Sequence, residues 1–286
     1  MTDLSEQDLA SVVSCYRIKL KAALEDKDRL LMHFAVPQSV YAVKEVTAVS
    51  DFAGGASKES GELLRVAVLV AGANLATDSS WLAQLKPRSD KLSIDPARKD
   101  ELEEAFDLTL RSDRIVWRAG QALIVCSGER LDELLIALTY FSYFAAQVAR
   151  IEGELGRGWP ALREHMTLNH QIEGKDLAMQ AAVNEKTLWA TNLRADFAAV
   201  EPFVDAVPNY MPASAKRMVQ ELVNHTELVG RLRAVDDQLE VFEDTYELAN
   251  DRLLEFRYYR GEFILETIII LVLLIEIGFM AAEFFW

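Results

Sequence analysis

The chain has 286 residues, is 51% hydrophobic and 26% charged, and is therefore too apolar for a disordered protein and long enough for one large domain or two small ones. Its formal net charge of −15 excludes a generally basic surface, so direct nucleic-acid binding is not expected. The N-terminal segment is acidic and lacks the apolar core of a secretory signal, which predicts that it stays in the compartment where it is made.

Residues 1–158 are predicted to form a mixed α/β domain. Tyr16, Ile18 and Leu20 alternate with basic residues, the pattern of a half-exposed strand. The apolar run 63–70 is typical of a mostly buried strand. A third strand is predicted over residues 114–126, and its Ala119-Gly120 dipeptide is suited to a turn.

A helix is predicted from about residue 129 to 155, and its uncharged interior is too short to cross a membrane. We therefore expect this helix to cover the sheet. Gly153, Gly156, Gly158 and Pro160 then predict the end of the α/β unit.

Residues 159–212 are predicted to form a helical connector region. The sequence is helical in pattern from 161 to about 198, and Pro202, Pro208 and Pro212 mark the connection to the next element.

A long helix with a heptad pattern is predicted over residues 213–262. Apolar side chains recur at alternating spacings of four and three, which is typical of a coiled-coil-like seam. The seam comprises Leu228, Leu232, Val235, Leu239, Phe242, Tyr246, Ala249, Leu253 and Phe256. It is suited equally to packing on the chain's own domain and to self-association between copies.

The last 24 residues, 263–286, contain no Lys, Arg, Pro or Asn and predict a C-terminal transmembrane helix. At about 1.5 Å per residue they form about 36 Å of helix, enough to cross a hydrocarbon core of about 30 Å. Glu266, Glu276 and Glu283 oppose insertion, since an acid at the centre of a membrane costs roughly 2.5–3.5 kcal/mol. The surrounding Leu, Ile, Val and Phe side chains together favour insertion by about 4–9 kcal/mol. Because this exceeds the cost of the central acid, insertion is expected.

Arginines are placed only on one side of this segment. Arg252, Arg257 and Arg260 precede the predicted span, and no basic residue follows it. The positive-inside rule then predicts that the soluble part faces the cytoplasm or an equivalent inner compartment. The terminal Phe284-Phe285-Trp286 is suited to an interfacial aromatic belt.

Catalytic chemistry is not indicated by any motif. His165 and His170 are five residues apart, which does not place them on one helical face or match a metal-ligand spacing. Cys15 and Cys126 lie in apolar stretches and are expected to be small core residues. We expect no catalytic residue, no cofactor and no metal site, and Glu266 and Glu276 remain the candidate functional residues within the membrane.

The order of elements resembles the family named for "required for meiotic nuclear division". The resemblance covers nearly the whole chain, beginning with the strand residues Val13-Ser14-Cys15-Tyr16. Asn192-Leu193 and Pro202-Phe203 are similar to an Asn-Leu and a Pro-Phe position of that family, and Leu265-Glu266 and Ile275-Glu276-Ile277 are similar to the glutamates that bracket its terminal apolar segment. The resemblance implies a membrane-anchored, self-associating protein whose mitochondrial relatives support organellar translation.

Two classes of function are compatible with these features. The first, which we favour, is a membrane-anchored scaffold or interaction protein whose partners are the lipid bilayer and a second copy or another membrane protein. The alternative is an oligomeric channel or transport component in which several copies place Glu276 along an ion pathway.

Overall fold

The computed structural model describes residues 13–47, 61–70, 106–110, 113–170 and 172–285. Within these residues seven strands form one sheet: β1 (Val13–Lys21), β2 (Arg29–Phe34), β3 (Val40–Thr47), β4 (Glu62–Val70), β5 (Phe106–Leu110), β6 (Asp113–Arg118) and β7 (Gln121–Cys126). Four α-helices follow: α1 (Leu131–His165), α2 (Gln180–Asp205), α3 (Ala213–His225) and α4 (Leu228–Phe285). Short 3-10 helices lie at Gly128–Arg130, Met166–Asn169 and Asp176–Met179. A mixed sheet domain with helices and a long C-terminal apolar helix is what the sequence predicted.

The sheet has the strand order β2-β3-β1-β4-β7-β6-β5. The central pair, β4 and β7, is parallel and places Val66 opposite Ala122 and Val68 opposite Ile124. All other neighbouring strands are antiparallel. The sheet therefore consists of two antiparallel blocks that are joined along their innermost strands.

The predicted strands over 63–70 and 114–126 are present, and the second is a hairpin. β6 and β7 are joined at Ala119-Gly120, and Gly120 has φ +82°, a left-handed conformation that favours glycine. Sequence analysis did not identify β2, β3 or β5. The residues of β2 and β3 do not alternate regularly between apolar and polar, so pairing with neighbouring strands decides their conformation. Strand β5 does alternate, as Phe106-Asp107-Leu108-Thr109-Leu110, but it has only five residues.

The structure divides into two compact units, Met1–Gly156 with Asp196–Val235 and Arg157–Ala195 with Asp236–Trp286. In the first unit, α1 packs on the sheet. The Phe34 ring of β2 stacks on Tyr143 of α1 with 3.8 Å between centroids, and Trp117 Nε1 of β6 donates a hydrogen bond to Ser142 Oγ at 2.9 Å. Lys44 Nζ of β3, itself buried, donates to Asp132 Oδ1 at 2.8 Å. These contacts confirm that the apolar helix is a core helix.

Helix α1 does not end near residue 155, and this prediction was wrong. The helix continues through all three glycines and Pro160 to His165. Ile151, Leu155 and Leu162 are each fully buried. Burial of such side chains contributes about 1.5–3 kcal/mol each, which exceeds the cost of about 1 kcal/mol for a glycine inside a helix.

Two further helix boundaries differ from the sequence prediction. Pro202 lies inside α2, so the proline-containing connection begins only at residue 206. The segment predicted as one helix from residue 213 is divided into α3 and α4. Glu227 separates them with φ +50°, and its backbone N–H donates to the Asn224 carbonyl at 3.2 Å. A single left-handed residue thus ends α3 and reorients the chain.

The second unit is centred on aromatic rings. Phe242 of α4 makes edge contacts with Trp159 of α1 and Trp189 of α2, at 5.0 and 5.4 Å between centroids. Gly158 lies beneath them: a Cβ at this position would be 2.7 Å from Trp189 Cη2 and 2.8 Å from Phe242 Cε1. The glycine allows the two rings to approach the helix backbone.

We expect Gly158→Ala to lower the free energy of unfolding by about 1–3 kcal/mol, because the added methyl overpacks the Trp189 and Phe242 rings. Gly156→Ala is the matched control, since a Cβ at Gly156 meets nothing within 4 Å and should stabilise the helix by about 0.5–1 kcal/mol. Chemical unfolding in mild detergent measures both. Equal effects of the two substitutions would contradict this packing.

The C-terminal helix as a candidate functional site

The heptad side chains of α4 are buried within a single chain. Their exposed fractions do not exceed 3% from Leu228 to Leu253. The buried set comprises Leu228, Leu232, Val235, Leu239, Phe242, Tyr246, Ala249 and Leu253, whereas Phe256 is half-buried. The seam therefore has an intramolecular packing role, and its use between copies stays a prediction.

Ion pairs connect helix α4 to a neighbouring helix in each of the two units. In the first unit, Arg231 forms a two-pronged ion pair with Glu152, with N to O distances of 2.6 and 3.0 Å. In the second unit, Arg194 of α2 pairs with Asp236 and lies 3.4 Å from a carboxylate oxygen of Glu243. Because guanidinium forks bind carboxylates directionally, these pairs help to set the rotation of α4 about its axis.

Four buried polar atoms of the second unit have no hydrogen-bond partner among the described residues: His165 Nδ1, Asn169 Oδ1, the Tyr246 hydroxyl and Asn250 Oδ1. The His165 and Tyr246 rings are in edge contact, with centroids 5.8 Å apart. Burial raises the pKa of the Tyr246 hydroxyl above its ordinary value, because it disfavours the charged phenolate. Sequence analysis assigned Tyr246 to the seam but did not connect it with His165, since only folding brings α1 and α4 together.

The surroundings of α4 change after Leu253. From Phe263 to Met280 every large apolar side chain is exposed, with fractions between 48 and 70%. At 100° per residue, eighteen consecutive positions cover all sides of a helix, so no face of this part is packed against the described protein. We call residues 263–280 the apolar segment.

Among the residues that the structure describes, two helical regions are long and apolar enough to cross a membrane. The first, Gly128–Asn169, is 72% buried in its most apolar window, as expected of a core helix. The second, Leu228–Met280, has a mean hydropathy of 2.5 in that window, of which none is buried. Burial, rather than the short uncharged interior noted in the sequence, therefore distinguishes the first helix from the second.

Glu266 and Glu276 are exposed on the apolar segment, as are the side chains around them. Thr267 donates its hydroxyl to the Phe263 carbonyl at 2.8 Å, so it is engaged with its own helix. Glu283 and the aromatic residues 284–286 lie outside the side chains that the structure describes. The apolar segment, residues 263–280, therefore has two exposed carboxylates, those of Glu266 and Glu276.

The side chains considered for catalysis do not converge. Cys15 and Cys126 are both buried and free, and burial raises the pKa of each thiol, which disfavours the reactive thiolate. His165 is buried, whereas His170 is exposed. Across the described ranges no three His, Cys, Asp or Glu side chains are grouped as metal ligands would be.

No family model and no curated protein match the chain. Among solved structures, it is similar to the complete structure of the CorA magnesium transporter from Methanocaldococcus jannaschii. That similarity has a TM-score of 0.32 and 9% sequence identity, and it covers 94% of this chain and 82% of that chain. At this level the similarity carries no functional argument.

We expect Leu239→Asp to destabilise the protein by about 3 kcal/mol or more, because it places an unpaired charge at a fully buried seam position. Leu248→Asp changes the same side chain at a position that is 43% exposed, and should cost about 0.5 kcal/mol or less. Urea unfolding measures the difference. Full stability of Leu239→Asp would contradict the burial of the seam.

Proposed function

We propose that this chain is a membrane-anchored interaction protein. In this proposal residues 263–286 span the bilayer, and the part that contains the sheet remains on the inner face, where it self-associates or binds another protein. The observation that carries the proposal is the exposure of the apolar segment on all sides of α4.

The apolar segment is costly in water. Fully burying one Leu, Ile or Phe side chain is worth about 1.5–3 kcal/mol, and soluble proteins rarely expose apolar patches larger than a few hundred Å². A bilayer removes this surface from water without requiring a protein partner. As a helix, the segment also satisfies its backbone hydrogen bonds internally, which lipid demands of any spanning element.

Charge supports the same orientation. Arg252, Arg257 and Arg260 precede the apolar segment, and the chain has no basic residue after it. Juxtamembrane arginines favour the cytoplasmic or equivalent inner side. The resemblance to the "required for meiotic nuclear division" family supports anchoring and self-association in the same way.

A chain that ends at Arg260 should leave the membrane fraction and keep its fold. The last fully buried seam residue is Leu253, so the cut removes little of the packed protein. Alkaline carbonate extraction measures attachment, and cooperative thermal unfolding measures folding. A truncated chain that remained in the carbonate-washed membrane would contradict the assignment of the span.

The alternative function is transport, and Glu276 is the observation that favours it. Its carboxylate lies among apolar side chains, and nine residues separate it from Glu266. A charged group at the centre of a bilayer is costly, and such groups commonly line ion or proton pathways. A pathway would require several copies, because one helix encloses no pore.

Substitutions of Glu276 distinguish the two functions. If Glu276 makes a hydrogen bond between helices, Glu276→Gln should preserve assembly and Glu276→Leu should weaken it about fivefold. If Glu276 conducts protons or cations, both variants should lose flux through reconstituted vesicles. Native mass spectrometry and vesicle flux are the two measurements. Unchanged assembly and flux in Glu276→Leu would contradict both roles for this side chain.

A further inference from the structure

We propose that Arg257 and Arg260 form a binding site for the phosphate group of an anionic membrane lipid. The site lies on α4 immediately before the apolar segment. This inference rests on the proposed membrane anchoring, and it adds a lipid class and a defined surface to it. We call this surface, made of Arg257, Arg260 and Gly261 with the nearby backbone of Gly174, the basic face.

Charges of opposite sign are separated around this part of α4. At 100° per residue, Arg260 lies about 60° from Arg257 around the helix axis. The acids of the region lie on the other side, since Glu255, Glu262 and Glu266 are about 140–180° away from Arg257. The basic face therefore keeps a local positive potential in a chain of net charge −15.

Arg257 and Arg260 are available to a ligand. Both side chains are exposed, and neither forms an ion pair with any residue that the structure describes. Arg252, five residues before Arg257, differs because its Nη1 lies 3.2 Å from a carboxylate oxygen of Glu255. Two free guanidinium groups on one face can bind a phosphate with paired N–H donors.

Space for a phosphate is present beside the arginines. Gly261 is about 40° from Arg257 around the axis, and a Cβ at Gly261 would meet nothing within 4 Å. On the other side, a Cβ at Gly174 would lie 3.7 Å from Arg260 Nη1, so the loop backbone borders the site without adding a side chain. Two glycines thus leave the guanidinium groups open.

The acids of the neighbouring loop are already engaged. The Glu173 carboxylate pairs with Lys175 at 2.8 Å, and Asp176 Oδ2 accepts a hydrogen bond from the Glu173 backbone N–H at 2.7 Å. Neither carboxylate has a described contact with Arg260. The loop therefore makes no direct ion pair with the basic face.

Depth favours a lipid phosphate over a soluble one. Arg260 precedes Phe263 by three residues, about 4.5 Å along the helix axis, which corresponds to the headgroup layer if the apolar segment occupies the hydrocarbon core. Tyr258 and Tyr259 are exposed by 71% and 63% at the same level. Tyrosines are enriched at this interface, where their rings contact lipid and their hydroxyls contact water.

The test uses the full-length protein in neutral detergent. Phosphatidylglycerol or phosphatidylcholine is titrated into the micelles, and retained lipid is counted by native mass spectrometry while the thermal unfolding midpoint is recorded. We expect phosphatidylglycerol, but not phosphatidylcholine, to be retained and to raise the midpoint. The double substitution Arg257→Gln with Arg260→Gln should weaken phosphatidylglycerol retention about tenfold.

The matched control is Arg217→Gln with Arg233→Gln, which removes the same number of exposed arginine charges from α3 and α4, away from the apolar segment. If the control retains phosphatidylglycerol as the wild type does, the result supports the basic face. If both double variants lose phosphatidylglycerol equally, lipid binding depends on the net charge of the protein and the proposed site is wrong. The same shift of the midpoint with inorganic phosphate alone would overturn the assignment to a lipid. Carbonate extraction tests the anchor separately from the lipid site. If the variant with Arg257→Gln and Arg260→Gln stays membrane-bound and retains lipid as the wild type does, the lipid site is wrong and the anchor is unaffected.

Discussion

One continuous helix with two kinds of surroundings determines most of what this structure can do. Helix α4 extends from Leu228 to Phe285, and its backbone hydrogen bonds are made within the helix along its length. The two parts of the helix differ in their side chains: the first part has a seam buried on one face, and the second has apolar side chains exposed on every face. Because a helix needs no outside partner for its backbone, the same element can be packed in protein at one end and in lipid at the other.

Packing along the seam depends on a few specific contacts rather than on the heptad pattern alone. Phe242 is fully buried between two tryptophans, and Gly158 is the residue that leaves room for the rings. The unpartnered polar atoms of His165 and Tyr246 lie within the same unit, where each unsatisfied group costs roughly 1–3 kcal/mol. The second unit therefore combines tight aromatic packing with locally unfavourable polar burial.

Electrostatics and hydrophobicity act together at the boundary of the apolar segment. The protein as a whole is strongly acidic, yet the last helical turns before the segment place Arg257 and Arg260 opposite the nearby glutamates. This separation is a consequence of helical periodicity, because residues three or four apart share a face. In the proposed anchor, the arginines would contact headgroup phosphates on one side of the helix and the glutamates would lie on the opposite side, so the boundary has two sides of opposite charge.

Local patterns in the sequence determined the long apolar helix, the coarse mixed α/β class and the seam positions, because periodicity and hydrophobicity depend on neighbouring residues. Tertiary structure decided the rest. It paired β4 with β7, kept α1 helical through Gly158 and Pro160, and separated α3 from α4 at Glu227. It also brought Gly174 beside Arg260. These features depend on contacts between residues far apart in the chain, whose energies exceed the local preferences of glycine, proline and glutamate.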